Sequence, residues 1–394
     1  TNENDSINIA LNEIVLDYIL EFTKVKQSID LGGAVTGNAM IYSALRSPLF
    51  TAEVRMDSAR INTDLIGDVH ATADWDRQTK QVMLYADVVE NKDTVALLDG
   101  TVHGDKWRLN IHPDSVSLAF INGWTQEFLD NLQGRAWGEV QVFGKKGEAH
   151  VLVDAFADAS VGIGYLGTRY SLRDSVFMDT TSIKFNNIRL KDDKQRELIF
   201  NGAVTHNGNF KDWKYRLKVH TDKAHVMNLS ASKSQMFWGN VFASGDVYIN
   251  GDDKTGTYIL ADVRTENPSK FSLSVVTATN ASDNNFITFE DHRNPEDTIK
   301  KEIQWQPKQN VQLDLRIEAT PAAEINIIID PRSGDALKGN GEGNIRFNYN
   351  INSGKMDIYG TYTLLSGSFN FTLENVIRKE FKIQEGSMVR FNGN

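Results

Sequence analysis

Apolar and polar residues alternate with a period of two along most of the chain, while the three-to-four spacing of an amphipathic helix is nearly absent. Val82-Leu84-Ala86-Val88, Trp107-Leu109-Ile111, Val151-Val153-Ala155 and Ile345-Phe347-Tyr349-Ile351 show the pattern, as do Met356-Ile358-Gly360-Tyr362-Leu364 and Phe369-Phe371-Leu373, each interleaved with mostly polar residues. The pattern predicts an all-β chain whose strands are apolar on one side and wet on the other. Counting such runs gives about 25 to 30 strands of ordinary length. Helical spacing recurs over Trp124–Leu132, between Gly123 and Gly134, and more weakly over Ile14–Phe22, so one or two short helices are expected. Tight turns are expected at Asp99-Gly100, Asn201-Gly202, Gly245-Asp246 and Asn250-Gly251-Asp252. Residues 281–310 lack alternation and read as a long flexible loop.

A glycine followed by alternating apolar residues recurs at Gly37, Gly138, Gly245 and Gly343, and a second series places Gly100 and Gly202 ahead of strands bearing Trp107 and Trp213. Spacing near one hundred residues favours a stacked β architecture that lengthens without enlarging a core over several unrelated sandwiches. The apolar stripe has two readings: the filled core of a sandwich, or the lining of an open trough that accepts acyl chains.

Composition narrows the chemistry. The 394 residues carry 42 basic and 52 acidic side chains, a net charge of −10, without a basic cluster to track phosphates, so nucleic acid is not an expected partner. The absence of cysteine removes thiolate metal sites, disulfides and cysteine nucleophiles. Gly162, Gly164 and Gly167 match the dinucleotide-binding glycine spacing, but Thr168–Phe177 reads as a strand where that site needs a helix N-terminus. The glycine-rich stretch from Asp330 to Gly343 lacks the ligand spacing of an EF-hand and the Gly-Lys-Ser/Thr ending of a phosphate loop, and reads as a loop before a strand. His220 and His225, five residues apart, do not share a strand face. No catalytic residue, metal site or cofactor is expected, and the chain is not expected to be an enzyme.

The last fifty or so residues carry Leu337-Lys-Gly-Asn-Gly-Glu-Gly-Asn-Ile-Arg-Phe347, Gly354-Lys-Met-Asp-Ile-Tyr-Gly-Thr-Tyr362, Ser366-Gly-Ser-Phe-Asn-Phe-Thr-Leu373 and Lys379-Glu-Phe-Lys-Ile-Gln-Glu-Gly386. This run resembles the C-terminal domain of the TamB family, bacterial members of the AsmA-like, bridge-type proteins, and sparser likeness continues upstream. The resemblance implies an elongated, curled β-sheet, a β-taco or open β-helical trough with an apolar interior. It implies a periplasmic protein of Gram-negative bacteria, held in the inner membrane by an N-terminal helix that these residues do not include, so the chain is expected to be a piece of a longer protein. It also implies phospholipid acyl chains as cargo, an outer-membrane barrel of the TamA or BamA type as partner, and client outer-membrane proteins. The alternative function is a scaffold or chaperone that pairs strands with client barrels without carrying lipid. Residues 1–320 are then a repetitive groove region and 321–394 the C-terminal domain. Candidate groove residues are Leu109, Ile111, Val151, Val153, Ile345, Phe347, Tyr349, Ile351, Ile358, Tyr362, Leu364, Phe369, Phe371 and Leu373.

Overall fold

A computed structural model describes residues 6–15, 31–42, 49–61, 64–125, 129–145, 148–208, 211–234, 236–274, 310–331, 333–373 and 377–393. The expected loop at 281–310, apart from Asn310, and most of the weaker helix at Ile14–Phe22 lie outside the described residues; Ile14 and Val15 themselves end a strand.

The described residues form one large, mostly antiparallel sheet of 21 strands. Strands β1 (Ser6–Val15), β2 (Leu31–Tyr42), β3 (Leu49–Ile61), β4 (Asp64–Asp76), β5 (Gln81–Glu90), β6 (Asp93–His103), β7 (Lys106–Ser117), β8 (Asp130–Lys145) and β9 (Glu148–Ile163) each pair antiparallel with the next. They are followed by β10 (Thr168–Met178), which pairs with β9, then β11 (Ser182–Lys191), β12 (Glu197–Thr205) and β13 (Lys214–Leu229). Next come β14 (Phe237–Asp252), β15 (Gly256–Ser274), β16 (Val311–Ala319), β17 (Ala323–Asp330), β18 (Asp335–Asn350), β19 (Met356–Leu373), β20 (Ile377–Lys382) and β21 (Met388–Asn392). The described strands run on through places where the alternation breaks, because bulges interrupt the pattern without ending the pairing.

Two compact units divide the chain: one of residues 1–162, 171–190 and 201–215, the other of 163–170, 191–200 and 216–394. In the second unit, β15 pairs in parallel with both β16 and β17, and β18 returns antiparallel along the same two strands. Strand β19 then carries β20 on one part of its length and β21 on another.

Three expectations are corrected. Asp99-Gly100, Asn201-Gly202 and Gly245-Asp246 lie inside β6, β12 and β14 rather than at turns. Glycine serves there for close approach: a Cβ on Gly245, at φ +142°, would sit 2.2 Å from the Asp262 carbonyl oxygen of β15. Connections instead fall at places such as Asn91-Lys92, both at positive φ, as a two-residue hairpin turn requires. The helical segment begins earlier than expected, as a 3-10 turn (Ala119–Ile121) and one α turn (Asn122–Thr125), and Asp130–Leu132 already belongs to β8. The Asn122 side chain fixes this boundary, donating to the carbonyls of Ala119 and Leu132 and accepting from the Leu132 amide at 2.7 Å. Most of the glycine-rich stretch after Asp330 is strand, since β18 starts at Asp335. By contrast, Thr168–Phe177 is strand as the sequence indicates, entered from β9 through a tight connection at Gly164–Gly167.

Candidate functional site

Register determines which side chains share a face, because directly paired residues project to the same side. In the first unit one row runs across nine strands as Leu11, Gly37, Val54, Ala71, Ala86, Leu98, Ile111, Val140 and Val153. The next row on that face is Ile9, Ala39, Ala52, Ala73, Leu84, Gly100, Leu109, Val142 and Val151. Every position in both rows is apolar or glycine. Leu109, Ile111, Val151 and Val153 fall on this face. Sequence reasoning did not include Val54, Ala71, Ala86, Leu98, Val140 and Val142 among the candidates; the alternation at Val82–Val88 pointed to Ala86 and the repeat at Gly138 to Val140 and Val142, while Val54, Ala71 and Leu98 emerge only from the registers.

Most of these side chains are only half-buried. A fully buried aliphatic side chain contributes roughly 1.5–3 kcal/mol, so each one left partly exposed forgoes about a few tenths of a kcal/mol.

The opposite face is chemically distinct. The row between the two apolar ones reads Asn38, Glu53, Thr72, Tyr85, Asp99, Asn110 and Gln141, and its members bond across strands: Asn110 donates to Asp99 at 2.8 Å and Gln141 to Asn110 at 2.9 Å. Asn110 and His112 hold the Asp99 carboxyl below its ordinary value, and the hydrogen bond to Asp99 is the main reason the His112 imidazole is raised above its own. A furrow of about 940 Å³ crosses this side over β2–β7, bordered by Arg55, His70, Asp87 and His112. Its floor is small, with Gly37, Ala71 and Ala86 pointing away, and its titratable walls largely bond to one another, as in His70 with Asp87 at 3.2 Å. It suits water.

The second unit has its own apolar face. Val247, Ala261, Leu315, Phe347 and Ile358 form one row, and Gly245, Val263, Ile317, Ile345, Gly360 and Phe391 another. Here the packing is tighter: Leu273, Phe347 and Ile358 are buried together, and Phe237 meets Phe347 and Tyr349 edge-on with ring centroids 6.1 and 5.9 Å away. Tyr362 and Leu364 are buried in an adjoining cluster with Ala319. Ile345, Phe347, Tyr349, Ile358, Tyr362 and Leu364 therefore share one face.

Phe369 and Phe371 belong to the same side despite a change of parity in β19. Gly341 pairs with Leu364 and Asn340 with Ser366, so Leu365 is the extra residue of a bulge, and inward positions shift from even to odd. Ile351 lies past the end of β18, in the turn where its amide donates to the Val311 carbonyl. Leu373 ends β19, and its side chain lies outside the described part.

Among the described residues no group of three or more His, Cys, Asp or Glu is arranged to hold a metal ion, and no helix is long and apolar enough to cross a membrane. The glycine-punctuated strands β18 and β19, with their apolar face and the two short strands borne on β19, lie inside residues 186–394, which match the TamB C-terminal domain. The chain belongs to the TamB family. The match covers more than half of the chain and all ten C-terminal candidates, while Leu109, Ile111, Val151 and Val153 lie before it. No curated protein and no solved structure shows significant similarity. TamB membership implies a non-enzymatic role in outer-membrane protein assembly, a periplasmic location and, in general, TamA as partner.

Proposed function

We propose that the apolar face is the inner wall of a curled trough along which phospholipid acyl chains move, with residues 1–320 as the conducting stretch and 321–394 as its terminal domain. The observation that carries this reading is the first unit's pair of apolar rows, continuous over nine strands and left half-covered. Curling toward that face is supported by glycine. Added Cβ atoms at Gly37, Gly138, Gly245 and Gly343 would each meet a partner-strand carbonyl oxygen at 2.1–2.3 Å, and such positions let strands bend. The 3-10 turn after β7 also comes within 8 Å of β4, three strands back. An acyl chain on such a wall gains about 0.8 kcal/mol per buried methylene, close to its gain in a bilayer, so it slides without a large barrier.

The test places a photoreactive residue at Leu109 or Val142, and separately at their chain neighbours Arg108 or Gln141, in cells fed radiolabelled phosphate. Labelled phospholipid is expected on the first pair alone. Equal labelling of both pairs, or none, overturns the trough.

The second reading, a scaffold that pairs strands with client barrels, is favoured by the chain's last strands. All six residues of β20 are exposed, Ile377 at 60%, and β19 is the strand with which β20 and β21 each pair in the described registers. A free strand edge beside exposed apolar side chains can accept an added strand.

A further inference from the structure

In the pairings of β1–β9 and β14–β21, the registers put basic residues on the polar face or at turns, apart from Lys379; Arg135, on the polar parity of β8, reaches Glu90 at the β5–β6 hairpin end at 3.0 Å. Phe369 pairs with Phe381 and Phe371 with Lys379, so Lys379 lies on the apolar side, whereas Arg378 and Lys382 pair with Thr372 and Ser368 on the other. In the same pairings, acidic residues reach the apolar side near hairpin ends, as at Glu90 and Asp93. Lys379 is exposed, and its Nζ lies 5.1 Å from the Phe381 ring centroid. Among the described residues no carboxylate is within ion-pair distance of it. Phe371 and Phe381 beside it are 38% and 43% exposed, more open than the buried Phe347 and Ile358 of the same face.

We propose that Lys379 binds the phosphate of a phospholipid whose acyl chains lie against Phe369, Phe371 and Phe381. The inference rests on the trough reading and adds a headgroup site at β20. An ammonium on a four-carbon stem, standing among aromatic rings, matches an amphiphile with an anion directly above its acyl chains. Charge complementarity selects the anion. The whole chain is acidic at −10, yet β20 carries Arg378, Lys379 and Lys382 against the single acid Glu380. A phosphate at Lys379 therefore meets a locally basic strand.

The experiment compares equilibrium binding of two fluorescent lipids with identical acyl chains, phosphatidylglycerol and diacylglycerol, to the full chain and to Lys379→Glu and Lys379→Arg. Wild type is expected to prefer the phosphate-bearing lipid. Lys379→Glu should weaken phosphatidylglycerol binding about three- to tenfold, the range for an exposed charge contact, and leave diacylglycerol unchanged. Lys379→Arg should keep the preference, and added salt should erode it in wild type. A lysine that only blunts an edge strand predicts the opposite: the preference survives Lys379→Glu, and that result overturns the headgroup site while leaving the trough intact. Failure of wild type to bind either lipid overturns the trough itself. Unchanged thermal unfolding of both variants, expected for an exposed position, confirms that binding is compared between folded proteins.

Discussion

Tyr362, only 1% exposed, packs with Ala319 and Leu364, and its hydroxyl lies over the Gly341 backbone without reaching hydrogen-bond geometry. Burial pushes its phenol up to about 12. A buried hydroxyl without a good partner costs more in lost hydration than it returns, while the ring provides apolar burial. Tyr362→Phe is therefore expected to leave stability unchanged or raise it by up to about 1 kcal/mol, and Tyr362→Ala to lose about 3–5 kcal/mol, as read from urea midpoints. A comparable loss in both variants would show that the hydroxyl is bonded. The inward position of Tyr362 was legible in the sequence because β18 and the first half of β19 keep strict alternation. The bulge at Leu365 was not, since an extra residue leaves no mark in composition. Phe369 and Phe371 share the face of Tyr362 all the same, because alternation restarts in the new parity after the bulge.

At the scale of the strand, glycine beside Asp or Asn was the misleading signal. The same dipeptide suits a hairpin turn and a bend within a long strand, and only the partner strand distinguishes them. Gly245 is bound by both φ and space, whereas Gly334, at φ +81° in the turn before β18, has nothing within 4 Å of an added Cβ. Gly245→Ala should cost about 3 kcal/mol or more through strain and collision with the Asp262 carbonyl, and Gly334→Ala only about 1 kcal/mol. Chemical denaturation of the two variants checks this, and equal costs would mean that β14 can shift away from β15. The recurrence at Gly37, Gly138, Gly245 and Gly343 was visible in sequence, but its meaning was not. All four answer the same demand, a neighbouring carbonyl too close for any side chain. The helical turn was displaced for a comparable reason: the bonds from Asn122 to Leu132 span ten residues and override local spacing.

For the whole molecule, the question is whether the proposed lipid carriage and the proposed barrel pairing use separate surfaces. Alternation could reveal that an apolar face exists, but not whether a second layer covers it, because filled and open sheets share a period of two. The registers extend that face over nine strands, and the partial exposure of its side chains supports the open reading proposed above. Val142→Lys puts a charge on this face at a half-buried site, where the lysine stem can reach water and the strand can stay folded. Gln141→Lys puts the same charge one residue away on the polar side. If acyl chains occupy the face, Val142→Lys should reduce phospholipid recovered with the protein severalfold, by mass spectrometry, while Gln141→Lys should not. Ile377→Pro, at the exposed start of β20, should preserve lipid recovery yet reduce assembly of outer-membrane barrels if an edge strand does the pairing. Loss of both properties in both variants would mean that lipid and client use the same surface. Loss of assembly with lipid unchanged in Val142→Lys would transfer the function to the scaffold reading.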